Sequence, residues 1–164
     1  MNIKPGFYKS FRIKIKSVFI LFICSREREN PMASENVDHF GDCHCGGVKF
    51  KVSAPPEGLI IQECNCSMCN RVGFLHLLVP KSRFAIIQGE DILTHYRFNT
   101  RVADHMFCSV CGIKPFYVPR SNPDGFSINF RCLDRSTIKS FKIEPFDGLH
   151  WEQHAADLAH FSRE

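Results

Sequence analysis

The stretch CHCGGVKF at residues 43–50 decides the fold, together with CNCSMC at residues 64–69 and CSVCG at residues 108–112. These three stretches hold seven cysteines at Cys-x-Cys and Cys-x-x-Cys spacings, which bring pairs of thiolates to a common point around a metal ion. Buried apolar thiols have no reason to cluster at such spacings. The cysteines therefore predict metal sites, and their spacing is typical of zinc.

Seven ligands divide most simply into four and three. Four thiolates form a closed tetrahedral zinc site that stabilises a fold, whereas three leave one position for water or substrate. One possible grouping is a zinc ribbon made from the Cys-x-x-Cys pairs at 66–69 and 108–111, which leaves three clustered cysteines without a role. The other joins the pair at 43 and 45 to the pair at 108 and 111, and it uses every clustered cysteine.

The residues that follow the cysteines also suit metal binding. Gly46 and Gly47 follow one group, Gly112 follows another, and Asn70 follows Cys69. These residue types tolerate the positive φ that turns backbone amides toward bound sulfur. We predict metal-binding turns at these positions.

A second metal site could also be closed by a histidine. His44, His76 and His105 are the candidates for such a fourth ligand. No histidine stands two to four residues after Cys69, the position that would favour a closed site by spacing. We therefore interpret the second site as open.

Composition indicates one domain, with an excess of basic residues at the start of the chain. The chain has 164 residues, 44% of them hydrophobic, and a net charge of +4. Residues 1–31 carry seven basic and two acidic side chains, or +5, whereas residues 32–164 carry 14 basic and 15 acidic ones, or −1. The body of the chain therefore lacks the basic footprint of a nucleic-acid-binding protein.

The apolar run VFILFIC at residues 18–24 imitates part of a signal peptide, but no small-residue cleavage site follows it. Seven residues are far fewer than the roughly 20 that span a bilayer, so we expect no transmembrane span. We interpret residues 1–38 as a disordered or dispensable leader, and Met32 as a possible alternative start.

From residue 41 onward, short alternating stretches separated by Gly, Pro and Asn predict a mainly β fold. The turn at 122–125 has Pro123 at its second position and Gly125 at its fourth, as a type I turn prefers. The tail predicts a helix within 150–161, capped by Asp147 or Gly148. The many phenylalanines are interpreted as core. The predicted strands are 48–52, 59–63, 74–79, 84–88, 93–98, 113–118, 126–131 and 141–143.

Between His39 and Asp134, the ordered cysteine stretches resemble the glutathione-dependent formaldehyde-activating family, which includes centromere protein V. FYVPRSNP at 116–123 and CLD at 132–134 resemble the centromere protein V branch especially. The resemblance implies a β-tent fold of small packed antiparallel sheets held by two Zn²⁺ ions per chain, with a domain at 39–150 and a helix and tail at 151–164. It implies a structural zinc on Cys43, Cys45, Cys108 and Cys111, and a catalytic-type zinc on Cys64, Cys66 and Cys69.

The resemblance also implies a function. It is that of a carbon-sulfur lyase that joins glutathione, or a similar thiol, to formaldehyde, or a similar small aldehyde. A non-catalytic adaptor at chromatin, the centromere or the cytoskeleton, with a protein partner, is the alternative. Arg71, Arg83 and Arg120 are candidate partners for a substrate carboxylate. Cys-x-Cys and Cys-x-x-Cys pairs are typical of a reducing compartment, which predicts a cytoplasmic or nuclear location.

Overall fold

The computed structural model describes residues 35–163, which form two β-sheets and a few short helices. Helix α1 spans Cys69–Val72 and α2 spans Trp151–His154, and α2 continues as a 3₁₀ helix over Ala155–Ser162. Shorter 3₁₀ turns occupy Lys81–Arg83, Glu90–Ile92, Phe130–Cys132 and Arg135–Thr137. The strands are β1 Val37–Asp42, β2 Lys49–Ala54, β3 Leu59–Cys64, β4 Leu75–Pro80, β5 Phe84–Gln88, β6 Leu93–Tyr96, β7 Asp104–Cys108, β8 Phe116–Val118, β9 Gly125–Asn129 and β10 Phe141–Phe146.

One sheet has the order β1-β2-β5 and the other has the order β10-β3-β4-β9-β8-β7-β6, and neither closes on itself. Every neighbouring pair is antiparallel except β10 and β3, which run in parallel and end together with Phe146 beside Cys64. The predicted mainly β fold of small packed sheets, with a short C-terminal helix, is confirmed.

Phenylalanines contribute to the core, as the sequence predicts, together with aliphatic side chains. Phe50, Phe116 and Phe130 are fully buried. The Phe50 and Phe116 rings pack edge to face with centroids 5.3 Å apart, and Phe84 packs 4.8 Å from Phe116. Phe50 belongs to the smaller sheet and Phe116 to the larger one, so these rings hold the two sheets together.

The predicted strands are present, the one at 84–88 with the same bounds and the others with shifted ends, but β1 and β7 were missed. The β1 sequence VDHFGD carries two aspartates and a glycine, which are unusual in strands. It forms because all six of its residues pair with β2. In addition, His39 is fully buried, and its Nδ1 atom lies 2.6 Å from Thr137 Oγ1. Tertiary pairing therefore overrides the local preference.

The predicted caps of the C-terminal helix are wrong, because the N-cap is His150. The Asp147 carboxylate accepts hydrogen bonds from Asn65 and His150 instead, and Gly148 packs against the cysteine loop. The predicted turn at 122–125 is present, with the Gly125 N–H donating to the Asn122 carbonyl at 3.1 Å.

Within residues 35–163, no helix is long and apolar enough to cross a membrane. The leader's apolar run at 18–24 and the possible start at Met32 lie outside the described residues.

Candidate metal centre

Four cysteine sulfurs from distant parts of the chain meet at one point. The Sγ atoms of Cys43, Cys45, Cys108 and Cys111 all lie within 4.8 Å of one another. The Cys43 and Cys45 sulfurs are 3.5 Å apart, and those of Cys45 and Cys108 are 3.7 Å apart. Sulfurs around a tetrahedral zinc are separated by about 3.8 Å when each Zn–S bond is about 2.3 Å. The set therefore fits a zinc ion.

Two backbone turns bring these cysteines together. Gly46 and Gly112 adopt φ of 71° and 73°, the left-handed conformation expected at metal-binding turns. The Gly112 N–H donates to the Cys108 carbonyl at 2.8 Å, and the Val48 N–H points to the Cys43 sulfur at 3.3 Å. The positive φ predicted for Gly47 is not observed.

A second group forms where β3 ends and α1 begins. Cys64 is the last residue of β3 and Cys69 the first of α1, and Cys66 lies between them. The backbone N–H groups of Cys66 and Cys69 point to the sulfurs of Cys64 and Cys66, at 3.5 and 3.4 Å. Asn70 lies inside α1, and Gly73 takes the left-handed position, with φ of 58°, that was predicted for Asn70.

The pKa values of the three thiols indicate that they interact closely. Hydrogen bonds from Cys64 and then Cys69 lower the pKa of Cys66. The same contact with Cys66 raises the pKa of Cys64 to about 11, and contacts with Cys64 and Cys66, together with burial, raise that of Cys69. The three thiols are therefore close enough to perturb one another, as ligands of a single metal ion would be.

His76 lies beside two of these three cysteines. A ring nitrogen of His76 and the sulfurs of Cys64 and Cys69 lie within 4.8 Å of one another. His76 belongs to β4, where its register partner is Gln62 on β3, so adjacent strands bring it to the cysteine loop. The search for a histidine two to four residues after Cys69 missed this contact, although His76 was among the candidate fourth ligands.

The other two candidate histidines have different surroundings. His44 is exposed between the cysteines of the first group. The His105 ring stacks between Phe98 and Tyr117, and its Nδ1 lies 2.6 Å from Lys114 Nζ.

Lys114 is buried, and burial lowers its pKa to about 8, while the Cys69 thiol opposes this shift. Burial, followed by the charge of Lys114, lowers the pKa of His105 to about 4. Near neutral pH, a protonated Lys114 therefore donates to Nδ1 of a neutral His105, which leaves the proton of that ring on Nε2. The sequence signal for this pair was a lysine inside an otherwise apolar β segment.

Gly148 lies against the cysteine loop and leaves no room for a side chain. A Cβ at this position would collide with Cys64 Sγ and would stand 2.8 Å from Cys66 Cβ. The loop is held in place because the Asn65 amide donates to Asp147 at 3.1 Å and its oxygen accepts from the Leu149 N–H at 2.9 Å. Contacts from β10 and the loop after it thus fix the shape of the second group.

A cavity of about 250 Å³ opens beside the second group. Part of its wall is a loop in which Asn99 and Arg101 have φ of 52° and 59°, a conformation uncommon for arginine. The residues that line the cavity include Gln62, Cys64, Cys66, Cys69, His76, Leu78, Phe98, His105, Tyr117, Arg120, Phe146, Gly148 and Trp151.

Of the three candidate arginines, only Arg120 lines this cavity. Its guanidinium carbon lies 3.3 Å from the centroid of the Trp151 ring, and Nη1 lies 3.0 Å from Glu152 Oε1. Arg71 donates to the Ser67 carbonyl at 2.6 Å, and Arg83 lies in the 3₁₀ turn before β5. Arg120 is therefore the candidate that lies at the cavity, whereas Arg71 and Arg83 do not line it.

Comparison with known proteins is consistent with this arrangement. The model of the family described as glutathione-dependent formaldehyde-activating enzyme, abbreviated GFA, matches residues 38–147, more than half of the chain. The chain belongs to the GFA family. A GFA domain therefore contains both cysteine groups and the start of the loop that carries Gly148.

A solved structure is also similar to this GFA protein. It is the crystal structure of a Rhodobacter sphaeroides protein, a Northeast Structural Genomics target, at 32% sequence identity and a TM-score of 0.52. The similarity covers 63% of this chain and 99% of the other.

Cys132 lies outside both groups. It is half-buried against the core, and burial followed by the nearby Cys43 raises its pKa to about 12. It is packed beside the first group. Cys24 lies outside the described residues.

Proposed function

We propose that this protein is a zinc-dependent carbon-sulfur lyase that joins a glutathione-like thiol to a formaldehyde-like aldehyde. The observation that carries the proposal is that Cys64, Cys66 and Cys69 line the 250 Å³ cavity. A metal held by them would stand at the cavity wall, within reach of a small reactant. Membership of the GFA family supports the reaction class.

In this proposal the two cysteine groups have different roles. Cys43, Cys45, Cys108 and Cys111 hold a structural zinc that ties the β1–β2 end of the fold to the end of β7. Cys64, Cys66 and Cys69 hold the second zinc, which would supply an acidified, positioned thiol when it is bound. The protein then carries two zinc ions per chain.

The side chains around the cavity would assist the bond-forming step. The thiolate sulfur attacks the aldehyde carbon, and the carbonyl oxygen gains the negative charge and then a proton. His105 lines the cavity with Nδ1 engaged by Lys114, so its Nε2–H is the donor available to that oxygen. Holding both reactants in one cavity removes much of the entropic cost of bringing them together.

Arg120 is the proposed partner for a carboxylate of the thiol substrate. Its guanidinium lines the cavity and lies over the Trp151 ring, while its partner Glu152 has a side chain that is 79% exposed. An ion pair with so exposed a partner is weak, so a substrate carboxylate can replace Glu152 at low cost.

The test is a rate measurement on the zinc-loaded full chain. Exchange between carbon-13-labelled formaldehyde and its glutathione adduct is followed by NMR above the uncatalysed background. We expect the wild type to accelerate the exchange. We expect Cys66→Ser to lose this acceleration while it still binds zinc at the four-cysteine group. Cys24→Ser, which changes a cysteine outside both groups, is the matched control. Full activity in a folded Cys66→Ser protein would refute the proposal.

The alternative function is a non-catalytic, zinc-stabilised adaptor associated with chromatin, the centromere or the cytoskeleton. The closeness of His76 to Cys64 and Cys69 favours it, because a site with four protein ligands is typical of structural zinc. The resemblance of residues 116–123 and 132–134 to the centromere protein V branch also supports it. Absence of any catalysed exchange, together with salt-sensitive binding of the full chain to duplex DNA, would favour the chromatin form.

A further inference from the structure

The His76 imidazole has one nitrogen without a partner among the described residues. The residue is 4% exposed, and its Nδ1 lies 2.9 Å from Ser127 Oγ and 3.4 Å from the Tyr117 hydroxyl. Its Nε2 is buried and has no hydrogen-bond partner. Buried polar atoms are almost always satisfied in folded proteins, so this nitrogen calls for a ligand that the side chains do not supply.

The His76 ring lies next to two of the candidate metal-binding sulfurs. Because Nδ1 faces Ser127, Nε2 is the nitrogen left for a metal. His76 stands within 4.8 Å of the sulfurs of Cys64 and Cys69, and Cys66 interacts with both of these thiols. A histidine that binds a metal through one nitrogen commonly donates the hydrogen of the other to an oxygen, which fixes the tautomer. Ser127 Oγ is placed to accept that hydrogen from Nδ1.

We propose that His76 Nε2 is the fourth protein ligand of the second metal, which makes the resting site Cys₃His rather than an open three-thiolate site. This inference rests on the proposed function only in requiring a metal at Cys64, Cys66 and Cys69. The ligand comes from the strand beside the cysteine loop, where β4 pairs with β3.

A closed resting site changes how a thiol reaches the metal. With a metal held there, an incoming thiol would release its proton to solvent, and its thiolate would take the place of His76 Nε2 as the fourth ligand. The displaced ring keeps its contact with Ser127, so it stays at the cavity wall ready to bind again. His76 is then the ligand that substrate exchanges.

The test replaces zinc by cadmium-113 in the full chain and records proton–cadmium correlation spectra. Scalar coupling passes through a coordinate bond, so a ligated imidazole gives a correlation between its ring protons and one cadmium resonance. We expect this correlation at the second site in the wild type and in His44→Ala, and its loss in His76→Ala. His44 is the matched control because it is exposed beside the first group.

The wild-type spectrum tests the inference even if His76→Ala does not fold. Absence of any imidazole correlation in cadmium-loaded wild type, or its persistence in a folded His76→Ala protein, would overturn the inference. Chelator competition is a second measurement. We expect His76→Ala to weaken retention of the second metal by at least the roughly 10–100-fold that loss of an outer-shell partner costs, and an unchanged affinity would contradict ligation.

Adding glutathione separates this inference from the proposed function. Loss of the His76 correlation with glutathione, and its return on removal, supports both ligation and thiol exchange. A correlation that persists at saturating glutathione supports ligation by His76 and refutes the lyase proposal, because the thiol then never reaches the metal.

Discussion

Replacing Gly148 by alanine should weaken metal binding at the second site while leaving the first site intact. The new Cβ would collide with Cys64 Sγ and stand 2.8 Å from Cys66 Cβ and 3.2 Å from Cys66 N. The φ of Gly148 is not among the positive values of the chain. The backbone therefore accepts alanine, and the effect is purely steric.

The size of the loss in metal affinity follows from how little the metal–ligand distances can change. To restore ordinary contact, the cysteine loop must move by more than about 0.5 Å, because real Cβ contacts are rarely closer than 3.4 Å. Metal–ligand distances tolerate only about 0.2 Å, so Cys64 and Cys66 cannot both remain ligands. Overpacking of this kind costs about 1–3 kcal/mol, or roughly 5–150-fold in metal affinity.

The assay is zinc stoichiometry by mass spectrometry, combined with chelator competition. We expect Gly148→Ala to release its second zinc to the chelator with an affinity about 5–150-fold below that of the wild type, and to form adduct more slowly. Gly58→Ala is the control, because its φ of 71° strains alanine but no atom lies within 4 Å of its Cβ. Two zinc ions per Gly148→Ala chain with unchanged affinity would refute the reasoning.

Three further predictions test the core, the cavity and the charge network. Phe116→Ala should destabilise the fold by about 3–5 kcal/mol in urea unfolding, because it removes a fully buried ring between the sheets; a loss below about 1 kcal/mol would contradict that packing. Arg120→Gln should raise KM for glutathione about tenfold with little change in kcat, whereas Arg83→Gln should change neither; equal KM values in the two variants would exclude the carboxylate role. The hydrogen bond from Arg97 lowers the pKa of Asp104, so its stabilising effect is present above the ordinary Asp pKa of about 3.9 and is lost as pH falls through the lower folded-state value. The Tm difference between wild type and Asp104→Asn should therefore shrink from about pH 6 to pH 2, and a constant difference would count against this ion pair.

Local sequence predicted most strands of both sheets but missed β1 and β7. The predicted strand 84–88 coincides with β5 of the smaller sheet, although its burial does not alternate, because Phe84 to Ile86 are half-buried and the last two residues are exposed. The segment at 104–108 was missed, because DHMFC shows no clean alternation and forms β7 only between β6 and β8. Strand ends also shifted, since register is set by the neighbouring strand rather than by the segment itself.

The sequence predicted the cysteines of the metal centre, but only some of the other residues around them. Cys-x-Cys and Cys-x-x-Cys spacings constrain two thiolates through short-range backbone geometry, so the pairs could be predicted from the chain. Spacing left open which pairs share a metal, and the family resemblance implied the grouping. Gly148 carries no such signal, because its role depends on the parallel pairing of β10 with β3. Lys114 and Trp151 likewise reach their partners only after the sheet and the tail have packed.

By itself, the sequence determined that this protein is a mainly β fold with two clusters of thiol ligands, because alternation and short cysteine spacings act within a few residues. Only the tertiary structure decided which residues surround the second cluster, Cys64, Cys66 and Cys69. His76 is separated from Cys69 along the chain, yet it reaches the cluster through pairing of β3 with β4. Arg120 is held at the cavity by the tail residue Trp151. Such contacts depend on strand register and packing between distant segments, which no local pattern encodes.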